Sequence, residues 1–124
     1  MLQFNDNELK AILKVAKAMV LADGKVEKKE LLVMTNELIR FGISREKIEG
    51  LAESAKNMDN SEALIALSKL DEERKKYVSA YLIMIMIIDG EMHDKEMILW
   101  ELTTSLCGLP EINISEAIQL MSSL

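Results

Sequence analysis

From Tyr77 to Ile88 the only strictly polar side chain is Ser79, so a helix over this run would be apolar on every side and would need protein packed all round it. A strand is the competing reading, because Leu82-Ile83-Met84-Ile85-Met86-Ile87-Ile88 is rich in β-branched residues and short apolar runs are ambiguous. The flanks favour the helix. Asp71, Glu72 and Glu73 precede Arg74, Lys75 and Lys76, an acid-first order that suits a helix N-terminus and sets Asp71/Lys75 and Glu72/Lys76 at the i,i+4 spacing.

Elsewhere the apolar positions recur at helical spacing between explicit start and stop signals. Asn5-Asp6-Asn7-Glu8 fits a capping box, with Phe4 and Leu9 as the staple pair. Leu9, Ile12, Leu13, Ala16, Met19 and Val20 then form one face, Lys10, Lys14 and Lys17 the other, and Asp23-Gly24 the stop. A second start falls at Glu27 with Glu30 three residues on, Leu31, Met34, Leu38 and Phe41 form its stripe, and Gly42 ends it. Ser44 caps a third helix carrying Ile48, Leu51, Ala52 and Ala55, and a short helix follows over 59–70. After Glu96, Met97, Trp100 and Leu106 lie on a helix ending at Gly108, and Ile114, Ala117, Ile118 and Met121 form the last one.

Sliding the chain on itself by 66 residues (89 minus 23) aligns this punctuation: Asn5 with Asp71, Asp23-Gly24 with Asp89-Gly90, Lys29-Glu30 with Lys95-Glu96, Gly42 with Gly108, and Ile48 with Ile114. The central run falls over the first helix, whose period is plainly helical. The expectation is an all-α protein of about seven helices. Two pseudo-symmetric three-helix units, about 4–57 and 70–123, are joined by the short helix, and a buried central helix lies near 71–88.

Composition narrows the setting. A chain of 124 residues reads as one domain over 1–124, and 49% hydrophobic with 29% charged residues is ordinary for a globular protein. One Pro and five Gly leave little room for a turn-rich β fold. The single cysteine, Cys107, cannot form an internal disulfide, and MLQFNDNELK has neither a basic n-region nor an apolar h-region, so a cytoplasmic protein is expected. The apolar run of about a dozen residues is too short for a membrane span, which needs ~20. A net charge of −6, with no basic run interleaved with aromatics, argues against a nucleic-acid partner.

The repeated junctions, Ala-Asp-Gly-Lys-Val-Glu-Lys-Lys-Glu from Ala22 and Ile-Asp-Gly-Glu-Met-His-Asp-Lys-Glu from Ile88, resemble the TerB, or tellurite-resistance B, family over essentially the whole chain. Where that family usually carries Ser or a similar cap, this chain has Glu27 and His93. The resemblance implies an all-helical domain with two pseudo-symmetric halves and a link to tellurite or other metal-stress response. It also implies a divalent-metal site at the junction acids, which by position are Asp23, Glu30, Asp89 and Glu96, with calcium, magnesium or manganese as the ion.

Carboxylates suit such hard cations, and an Asp at a helix C-terminus opposes the dipole, so helix stability alone does not explain Asp23 or Asp89. Local chemistry accounts for the same acids, since Glu30 and Glu96 hold capping-box positions and Asp23 and Asp89 can accept amide hydrogen bonds within a tight turn. An EF-hand is excluded, because Gly sits second after either Asp and the twelfth position holds Met34 or Trp100. His93 reads as a polar residue at a helix start, and one histidine without a Cys-x-x-Cys pattern makes no zinc site. Cys107 reads as a small core residue. With no Gly-x-Ser-x-Gly, P-loop or dinucleotide fingerprint, enzymatic chemistry has no visible carrier. The first expectation is therefore a non-enzymatic helical module acting by contact with a protein partner. The alternative is a metal-dependent hydrolase built on the acidic cluster, which would need those carboxylates to converge on an open cleft.

Overall fold

A computed structural model describes residues 2–21, 28–87 and 94–124, with the side chains of 28–30 and of Glu96 outside that description. Its order is α1 (Asp6–Val20), α2 (Lys28–Ile39), α3 (Arg45–Ala55), α4 (Asn60–Ser68), α5 (Glu72–Met86), α6 (Asp94–Cys107) and α7 (Ile114–Ser122). Among the described residues there is no strand. The 77–88 run is helical as far as Met86, with Ile87 as the C-cap.

Local chemistry sets the helix starts. The Asn5 side chain accepts from the Glu8 N–H at 2.8 Å while the Glu8 carboxylate accepts from the Asn5 N–H at 2.8 Å, which completes the capping box. Ser44 accepts from the Lys47 N–H at 3.2 Å, and Asn113 from the Glu116 N–H at 2.8 Å. Asp71 accepts from the Arg74 N–H at 2.8 Å and also pairs with the Arg74 guanidinium, an i,i+3 contact where the spacing had suggested Lys75. The Lys75 ammonium lies instead beside Gly108, 3.3 Å from where a Cβ would stand. Gly42 and Gly108 follow α2 and α6 at φ of 84° and 67°, the left-handed conformation that glycine adopts without Cβ strain.

The core is built on α1 and α5. α5 buries Val78 to Ile83 without a break, together with Ile85 and Met86. Each such aliphatic side chain removed from water contributes roughly 1.5–3 kcal/mol before entropy is counted. α4 packs along α1 and against α6, α7 packs along α5, and α3 lies on α1. α2 lies more against α5 and α3 than against α1. Aromatic edges fasten the α2 end to α5, with Phe41 edge-on to Phe4, Tyr77 and Tyr81 at centroid separations of 5.3, 6.3 and 6.2 Å.

Several residues assigned to apolar stripes by spacing lie at the surface. Leu31, Ala52, Leu106, Ile114 and Ile118 are exposed, and so is Leu102. In α7 only Ala117 and Met121 are buried. The cause is geometric: helical spacing defines a face, and that face is buried only where a neighbouring helix meets it. Among the described residues no helix is long and apolar enough to cross a membrane.

Candidate functional site

Of the four junction acids, Asp23 and Asp89 lie outside the described residues. Glu30 and Glu96 are each the third residue of their helix, α2 and α6, and their side chains also lie outside the description. Glu91 and His93 are outside it too, while Asp94 opens α6 and is exposed. Among the described residues no three His, Cys, Asp or Glu side chains gather to hold a metal ion.

An open groove of about 600 Å³ runs between α1, α2 and α3. Its floor is Leu13, Ala18 and Leu21 from α1 and the residue after it, Leu31 and Met34 from α2, and Ile48 and Ala52 from α3. Its walls differ in charge. Lys14 and Lys17 line the α1 side, while Glu49 and Glu53 line the α3 side together with Lys56, whose ammonium pairs with Glu53 at 2.9 Å. An apolar floor between oppositely charged walls is the form of a site for an amphipathic helix or another elongated apolar group. Spacing along the sequence could not reveal it, because its lining spans residues 13–60 and four helices bring it together.

The second surface is on α6. Ile98, Leu102 and Leu106 recur at every fourth position with 66%, 54% and 58% of their surface exposed, a single stripe about 12 Å long. Ile65 of α4, the helix packed against α6, is exposed to a similar extent. Solvent-facing aliphatic rows of this kind mark contact surfaces more often than isolated exposed residues do.

The buried polar and thiol groups are committed to the core. The Tyr81 hydroxyl donates to the Met34 carbonyl at 2.9 Å. Burial, with the nearby Glu37 charge adding to it, holds its phenol protonated far above the ordinary range. Ser79 donates to the Pro110 carbonyl at 2.9 Å. The Cys107 thiol is buried and donates to the Leu64 carbonyl at 3.4 Å, and burial pushes it up against the opposing effect of Lys75. A thiol held in this way is a poor nucleophile.

A crystal structure of a protein of unknown function from Porphyromonas gingivalis W83 is similar to this chain over the full length of both, at 44% identity and a TM-score of 0.91. No family model matches the chain, and no curated protein matches it.

Proposed function

This chain belongs to the same family as the Porphyromonas gingivalis protein, and we propose that it is a non-enzymatic, TerB-like helical module of the cytoplasm. It acts by protein contact, in tellurite or other metal-stress response, and takes a divalent cation at Asp23, Glu30, Asp89 and Glu96. Protein contact rests on one observation, the row of exposed aliphatic side chains on α6.

The duplicated organisation behind the cation site has its own support. α1 and α5 both run for 15 residues, and the 66-residue offset that carries Asn5 onto Asp71 carries Asp6–Val20 onto Glu72–Met86. The same offset relates the two left-handed glycines, Gly42 and Gly108. The correspondence loosens at the third pair, since Ser44 would fall on Pro110 whereas the cap of α7 is Asn113. Asp23 and Asp89 each stand two positions after the C-cap of their helix, Leu21 and Ile87. Carbonyl groups at a helix C-terminus carry partial negative charge, which adds to carboxylate oxygens in favouring a cation.

Two measurements test the two parts. Asn keeps turn chemistry and Gln keeps capping, but both lose the anionic oxygen. Calcium, magnesium or manganese at millimolar concentration should therefore raise the melting temperature of the wild type, and not that of Asp23→Asn/Asp89→Asn or Glu30→Gln/Glu96→Gln. No ion-dependent shift in the wild type would leave these acids as turn and cap residues. For protein contact, a photo-crosslinking amino acid at Ile98 or Ile65 should give protein adducts in cells. A chain that reaches normal abundance and gives none at either position contradicts the reading.

A further inference from the structure

We infer that the apolar stripe of α6 on one copy of this chain docks in the α1–α2–α3 groove of a second copy. The inference names a partner for the protein-contact reading and rests on it. Among the described residues neither surface is covered by its own chain, and each supplies what the other needs. The stripe offers Ile98, Leu102 and Leu106 in a row. The groove offers an apolar floor that includes Leu13, Met34 and Ile48.

Charge fixes the fit. At about 100° per residue, Glu101 lies on one flank of the stripe and Lys95 on the other, while Asp94, four positions before Ile98, continues the row by one turn. All three are exposed. With the stripe on the groove floor, Glu101 faces the Lys14/Lys17 wall and Lys95 faces the Glu49/Glu53 wall. Turning the helix end for end brings like charges together on both walls, so one orientation is selected.

Two copies at −6 each repel at long range, but at physiological salt that repulsion is screened beyond ~8 Å and local matching decides the contact. A stripe-to-groove contact joins different surfaces, so it is heterologous, and it either closes into a ring or runs on as a chain.

Sedimentation velocity on the full chain over a concentration series tests the pairing. The wild type should show mass above the monomer that grows with concentration. Leu102→Asp, at an exposed position where the fold does not depend on the side chain, should weaken association about tenfold or more while leaving the melting temperature unchanged. Lys14→Glu/Lys17→Glu should weaken it, as should Glu101→Lys. Mixing these two variants should restore association, because the acidic groove of one then meets the basic flank of the other. A wild type that stays monomeric at every concentration overturns the pairing, and so does association that survives Leu102→Asp or that mixing fails to restore. If the chain is monomeric but still crosslinks to a different protein through α6, only this pairing falls and the protein-contact reading stands.

Discussion

α1 and α5 have the same length, the same kind of capped start and the same central place, yet they distribute burial differently. α1 is amphipathic along its whole length: Leu9, Ile12, Leu13, Ala16, Met19 and Val20 face inward while Lys10, Lys14 and Lys17 hold the opposite side. α5 is divided along its axis instead, with charged residues filling the first turns and every residue from Val78 to Met86 buried except the half-buried Met84. The contrast is sharpest at matched positions. Lys17 and Ile83 are both the twelfth residue of their helix, and Lys14 and Ala80 both the ninth. Lys17 is exposed and Lys14 half-buried at the groove, whereas Ile83 and Ala80 are in the core. α7 lies more extensively along α5 than α3 does along α1. The groove lies between α1 and α3, so the two helices differ in surface because α7 covers more of α5 than α3 covers of α1.

Exchanging the matched residues should break this contrast with very unequal effects. Ile83→Lys places an ammonium at a position that is 2% exposed. The charge must be desolvated or lost by deprotonation, at a cost on the order of 4 kcal/mol or more. Denaturant titration should show a collapse in stability or no folded state at all. The reciprocal change, Lys17→Ile, adds an aliphatic side chain to a groove wall already open to water and should stay within about 0.5 kcal/mol of wild type. Comparable losses from the two changes would mean that the α1 face is as closely covered as that of α5.

The same contrast separates what was legible in the sequence from what was not. Asn5, Ser44 and Asp71 mark helix starts through bonds to backbone only three residues away, so residue type and spacing sufficed to find them. Gly42 and Gly108 were legible as stops for the same local reason. The helix expected over 59–70 starts after Asp59, an N-cap that makes no side-chain bond to the helix it precedes. Burial depends on what lies opposite, which spacing does not record. Leu31, Leu102, Leu106, Ile114 and Ile118 share the periodicity of core residues and stand in solvent. The groove was illegible because its lining comes from four helices. The acids of the expected metal site were legible as a repeated motif, and their carboxylates lie outside the described residues.

The smallest effect expected also separates the two helices, through the chemistry of their caps. α1 is capped by a carboxamide, Asn5, which carries no titrating proton, and α5 by a carboxylate, Asp71. The Arg74 backbone N–H donating to Asp71 is the main influence lowering the Asp71 pKa; desolvation opposes it, and the Arg74 guanidinium adds through its hydrogen bond and its charge. A carboxyl whose folded pKa lies below its unfolded value contributes stability that is fully present above the unfolded value, about 3.9, and is lost as pH falls through the folded one. The Asp71 contribution should therefore be constant through neutral pH and fade only below about pH 4. Asp71→Asn keeps an acceptor for the Arg74 N–H and removes the titration, so the difference in melting temperature between wild type and variant should narrow as pH drops through that acid range. Asn5→Asp at the start of α1 should introduce the same acid dependence where the wild type has none from its cap. Melting curves from pH 2.5 to 7 read both changes. A wild type and Asp71→Asn variant that remain equally far apart throughout would show that the Asp71 charge contributes nothing to the start of α5, leaving hydrogen bonding alone to set both helix starts.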